Sequence, residues 1–132
     1  MRCPGLRVWL CVLVIAAGLA GWSGAALAQP LPKAYHIGLQ APGQGTVHLY
    51  AEEYGQGRPI LLLHGLGAST FTWRNLIPEL SRQNRVIAID FKGFGRSEKP
   101  FTQAYSPYDH ANLVLDFIRK RGLRDLTIIG HS

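Results

Sequence analysis

The chain has 132 residues, 47% of them hydrophobic, two cysteines and a formal net charge of +6. That length suits one modest domain, and the absence of repeats or low-complexity tracts argues against solenoid and disordered classes. Of the 14 cationic residues, Arg2 and Arg7 precede an apolar stretch; without them 12 face 8 acidic residues, a balance of +4 that is scattered and lacks interleaved aromatics, so no nucleic-acid platform is expected.

Residues 1–28 read as a signal peptide. Arg2 and Arg7 give a positive start, an uncharged apolar run extends from Val8 to about Ala20, and Gly21, Ser23 and Gly24 lead to Ala26-Leu27-Ala28, a small-residue cleavage pattern. Cleavage would leave a secreted or periplasmic chain starting at Gln29, with no stable membrane association. The rival reading is an uncleaved anchor, since Val8 to Ala28 offers 21 uncharged residues, enough to span a bilayer. Cys3 and Cys11 both lie inside this segment, so the mature chain has neither a disulfide framework nor a thiol nucleophile.

Residues 29–45, with Pro30, Pro32, Pro42 and three glycines, read as a linker with little regular structure, and the domain is expected over 46–132. Val47, Leu49 and Ala51 alternate with polar neighbours and predict a half-exposed strand closed by a turn at Gly55 to Gly57. The consecutive aliphatics Ile60 to Leu63 predict a strand buried on both faces. Trp73, Leu76, Ile77 and Leu80 recur at helical spacing and predict a helix over 72–81. "RVIAID" is a second buried strand ending at Asp90, followed by a loop marked by Gly93, Gly95 and Pro100. Ser106-Pro107 opens a helix with a stripe of Leu113, Val114, Phe117 and Ile118, stopped by Gly122. Arg119-Lys120-Arg121 and Arg124 read as its solvated end, where cations complement the helix dipole. "LTIIG" is the last strand. Strands separated by helices predict an α/β fold, mostly parallel, with helices on both faces.

Two motifs carry chemistry. Gly130-His131-Ser132 matches the first three positions of G-x-S-x-G, in which a sharp strand-to-helix turn exposes a nucleophilic serine. His64-Gly65-Leu66-Gly67 follows a buried strand and can turn the Leu66 amide toward the same sheet edge, as one donor to the oxyanion of acyl transfer. "GLGAST" and "GFGRSE" each lack the third glycine of a dinucleotide loop, and neither is a P-loop. His64 reads as a loop brace and His110 as an ordinary helix residue; Asp90 ends a strand where it can brace the following glycine loop. No histidines or carboxylates have metal-ligand spacing, so no metal and no cofactor are expected.

In order and spacing, "PILLLHGLGAS", "RVIAIDFKGFGRSEKP", "YSPYDHANLVLDFI" and "DLTIIGHS" resemble the N-terminal half of the α/β-hydrolase fold superfamily. The Asp-x-x-Gly-x-Gly-x-Ser block from Asp90 to Ser97 is especially characteristic. The resemblance is to the branch holding carbon–carbon-bond hydrolases, esterases, epoxide hydrolases and haloalkane dehalogenases. The last two groups generally place aspartate at the nucleophile, so serine at 132 points to the esterase-like or carbon–carbon-hydrolase-like members. The resemblance implies Ser132 as nucleophile and Leu66 as oxyanion donor, with His64, Gly65, Gly67, Asp90, Gly93, Gly95 and Gly130 supporting the loops. It also implies a small-molecule substrate with an apolar portion. The second oxyanion donor, the second elbow glycine and the acid and histidine of the triad would all follow Ser132. The chain is therefore expected to be an inactive N-terminal piece of a longer hydrolase, the alternative being a binding module or pseudoenzyme on that scaffold.

Overall fold

The computed structural model describes residues 31–131. The signal-peptide reading and Ser132 itself lie outside the described residues. Strands β1 (Lys33–Ala41), β2 (Gly45–Tyr54), β3 (Arg58–Leu63), β4 (Asn84–Ile89) and β5 (Thr127–Gly130) form one sheet in the order β1-β2-β4-β3-β5.

The linker reading of 29–45 is corrected here: most of it is β1. Tyr35, Ile37, Leu39 and Ala41 alternate with His36, Gly38 and Gln40, and all four pack on the main apolar cluster, with Leu39 fully buried. The flanking prolines and glycines mask this alternation in the sequence; Pro42 and Gly43 only form the hairpin turn, closed by Gln44 N–H donating to Ala41 O at 3.0 Å.

The expected mostly parallel sheet is corrected to a mixed one. The β3–β4 and β3–β5 pairs are parallel, whereas β1–β2 and β2–β4 are antiparallel. Only three residues separate β2 from β3, enough to reverse the chain but far too few for a parallel crossover.

The expected helix over 72–81 is two shorter pieces, a 3-10 turn at Thr70–Trp73 and a single α-turn, α1, at Ile77–Leu80. Pro78 lacks an N–H and crowds the carbonyl four residues back, so one continuous helix is ruled out. Trp73 and Ile77 still share the buried side, with Ile60, Leu62, Val86 and Ala88. Helix α2 (Pro107–Lys120) follows the sequence closely. Ser106 and Asp109 form a reciprocal capping box, and Gly122 and Leu123 close the other end on Arg119 and Ile118 carbonyls, a Schellman motif. Its Leu113, Val114 and Phe117 pack on Leu61, Ile87 and Ile89, on the sheet face opposite Trp73. The chain crosses from β3 to β4 in one direction and from β4 to β5 in the other, so a constant right hand puts the two helical segments on opposite faces.

Candidate active site

The ends of β3, β4 and β5 converge on one sheet edge. Beyond β3, Ala68 N–H donates to Gly65 O at 3.2 Å, which makes residues 65–68 a tight turn. Gly67 has φ +71°, the left-handed conformation that a type II turn demands at its third position. Leu66 stands at the tip, 92% exposed, and its N–H has no acceptor among the described residues.

His64 joins this turn to the loop after β4. Its Nε2 accepts the Phe91 N–H at 3.0 Å, which puts the ring proton on Nδ1, and Nδ1–H donates to Gly65 O at 2.8 Å. The buried imidazole packs edge-on against Phe91 and Phe94. Both ring nitrogens are therefore engaged by backbone.

Asp90, 1% exposed, holds the next loop: one carboxylate oxygen accepts Thr70 N–H at 2.6 Å and the other accepts Arg96 N–H at 2.8 Å. A Cβ on Gly95 would fall 2.0 Å from Asp90 Oδ2, so only glycine lets the backbone pass. Gly93 N–H donates to Glu98 O at 2.9 Å in the same loop. Sequence reasoning missed two residues here. Ser97, buried, accepts Tyr50 N–H at 2.8 Å and donates to Asp90 O, and its place in the Asp-x-x-Gly-x-Gly-x-Ser block was the available signal. Lys92 is wholly buried, and no sequence signal marked it. Its ammonium donates to Gln44 Oε1 at 2.7 Å and to Ala104 O and lies 4.5 Å from the Tyr105 ring centre, so it pins the hairpin tip and the approach to α2. Burial pushes its pKa down.

Gly130 lies opposite Leu63 in the parallel register, and His131 N–H donates to Leu63 O at 2.9 Å. The exit of β5 is thus directly beside the start of the His-Gly-Leu-Gly turn. The His131 ring stands perpendicular to Trp73 at 6.3 Å.

Beside these loops is a cavity of about 820 Å³ whose walls include Leu66, Phe94, His110, Val114, Ile118 and Ile128. Burial, reinforced by the charge of Lys92, lowers the pKa of His110, which favours its neutral form. Phe94 lines this cavity, as do Phe91 and Tyr105, whereas Trp73 belongs to the core and Phe71 is exposed beneath the Arg74 guanidinium.

Residues 58–132 match the family model described as alpha/beta hydrolase fold. The chain is 38% identical over 92 residues to a soluble epoxide hydrolase of Corynebacterium sp. (strain C12), a match that covers 67% of this chain and 32% of that protein. It is 40% identical over 98 residues to a 2-hydroxy-6-oxo-6-(2'-aminophenyl)hexa-2,4-dienoic acid hydrolase of Metapseudomonas resinovorans, covering 71% of this chain and 32% of that one. Among solved structures, a haloalkane dehalogenase from Agrobacterium tumefaciens C58 superposes with a TM-score of 0.64 at 28% identity, over 75% of this chain and 33% of that one. The chain spans about a third of the length of these relatives.

Proposed function

This chain belongs to the α/β-hydrolase fold family, on the branch of epoxide hydrolases and haloalkane dehalogenases, and from that premise we propose that it is the N-terminal part of a secreted or periplasmic serine hydrolase acting on ester-like or related acyl bonds. The observation that carries this reading is the hydrogen bond from His131 N–H to Leu63 O, which sets the β5 exit beside the turn bearing the free Leu66 amide. In the proposed reaction the Ser132 hydroxyl attacks an acyl carbon, the carbonyl oxygen becomes an oxyanion received by the Leu66 N–H, and the acyl group is held on serine until water releases it. Two donors are needed for a full oxyanion hole, and a base must take the serine proton. Among the described residues this stretch supplies one donor, the Leu66 N–H, and the histidine of the turn, His64, has both ring nitrogens engaged by backbone. On its own it is therefore inactive in this reading. The apolar walls of the neighbouring cavity suit a substrate with an apolar portion.

The coding frame beyond codon 132 tests the proposal. Glycine at 134 followed in frame by an aspartate or glutamate and a histidine is expected; a continuation without them would overturn it. The present chain should show no hydrolysis of p-nitrophenyl acetate that depends on Ser132, and turnover abolished by Ser132→Ala would contradict the inactive reading. A second reading, a binding module or pseudoenzyme, is favoured by the cavity alone, which needs no triad to hold an apolar molecule.

A further inference from the structure

Three polar side chains stand in the wall of the 820 Å³ cavity: His64, Tyr105 and His110. The first two are already engaged. Both His64 nitrogens are bonded to backbone, and the Tyr105 hydroxyl donates to Pro100 O at 2.7 Å. His110 is different. Its Nδ1 is sealed from solvent with no hydrogen-bond partner among the described residues, so the ring's other nitrogen, Nε2, is the one that meets the cavity. The ring is held edge-on to Phe91, with centroids 5.1 Å apart, and tilted against Tyr105 at 6.2 Å and Phe94 at 6.4 Å. The reciprocal cap of Ser106 and Asp109 fixes the helical turn that carries it, and His110 N–H donates to Ser106 O at 3.2 Å.

We propose that the cavity binds a small aromatic ketone or ester, with its ring against Phe91, Phe94 and Tyr105 and its carbonyl oxygen accepting the His110 Nε2–H. A neutral imidazole, the form that burial favours here, carries one N–H and one lone pair. With the proton on Nδ1, the sealed position would hold an N–H that has lost water and gained no acceptor, the rarer kind of buried orphan. With the proton on Nε2, the donor faces the cavity. Apolar walls alone would take any apolar molecule, but three aromatic rings favour a flat one through edge and offset contacts. A lone donor then selects an oxygen that accepts. A carboxylate is a poorer occupant, because it would leave water with no cationic side chain in the wall to pair it. This site does not rest on the hydrolytic reading: it uses neither Ser132 nor the Leu66 amide.

The test is titration of the full chain with acetophenone and with α-methylstyrene, its isostere with a methylene group in place of the carbonyl oxygen. Neither probe has an acyl bond to cleave, so the result is separate from hydrolysis. Imidazole nitrogen NMR of the parent protein should find the His110 proton on Nε2 and a larger shift of that nitrogen with acetophenone than with α-methylstyrene. His110→Leu should weaken acetophenone binding about threefold to tenfold, the loss of one hydrogen bond, and leave α-methylstyrene binding largely unchanged. His110→Gln keeps an N–H donor and should restore most of the acetophenone affinity. The nitrogen spectrum needs no variant and holds even if a substitution impairs folding. A proton on Nδ1, no response of the ring nitrogens, equal losses for both probes in His110→Leu, or chains associated through the open β5 edge with neither probe bound would each overturn the proposal.

Discussion

Asp90 shows how one side chain organises a loop that lies outside the strands yet is bonded to β2 through Ser97 and Glu98. Its two oxygens are committed to Thr70 and Arg96 amides, and the second contact requires the backbone at Gly95 to run against the carboxylate. Gly95→Ala should therefore cost about 2–4 kcal/mol, since the added methyl meets Asp90 at a position whose φ of +51° already disfavours any side chain. Thermal unfolding checks this, and an unchanged midpoint would mean that the loop yields freely. That Asp90 ends a strand before a glycine loop was legible from residue order. Its reach to residues 70 and 96 was not, because a carboxylate's partners lie wherever the chain returns. Lys92 makes the same point more sharply: in the sequence it looks like any loop lysine.

The elements are joined by one carboxylate. Glu53 on β2 accepts from Arg85 on β4 at 2.8 Å and from Arg121 at the end of α2 at 2.7 Å. Burial works against its charge, but the hydrogen bond and charge of Arg85 and the charge of Arg121 outweigh it and hold the carboxyl below its ordinary value of 4.5. The folded protein thus binds this proton less readily than the unfolded chain, and the stabilisation is present above pH 4.5 and lost as pH falls through the lower folded value. Glu53→Gln should lower stability by about 1–3 kcal/mol at pH 7, short of the full cost for a buried pair because the arginines are partly exposed. The gap between variant and parent should narrow below pH 4.5 in denaturant titrations; a gap constant with pH would show that packing, not charge, is lost. Helix α2 depends on its cap: Ser106→Ala removes the acceptor for Asp109 N–H and should cost about 1 kcal/mol, read as a midpoint several degrees lower. This cap, the proline after it and the apolar stripe were all readable in sequence, because each acts within a few residues. Residues 72–81 have helical spacing but form two short pieces, because Pro78 is not tolerated inside a continuous helix.

At the scale of the molecule, apolar surface stays open beside β5. Leu115 is 48% and Ile128 50% exposed, and both line the 820 Å³ cavity beside β5, whose outer edge has no partner strand among the described residues. An exposed apolar surface of this kind recruits ligands or other chains. The full chain should bind an apolar dye such as anilinonaphthalene sulfonate under native conditions. Ile128→Lys should cut the fluorescence severalfold without lowering the unfolding midpoint; undiminished fluorescence would place the dye elsewhere.

Local patterns determined the α/β class, the buried strands at 60–63 and 85–90, the capped helix and the two glycine-bearing loops, because periodicity, capping and turn chemistry act over a handful of residues. The tertiary structure alone decided that residues 33–41 are a strand, that half of the strand pairings are antiparallel, and that Asp90 and Lys92 each tie separate loops together. Pairing partners and buried charge contacts depend on which distant segments share a place in space, and no local run of residues specifies that.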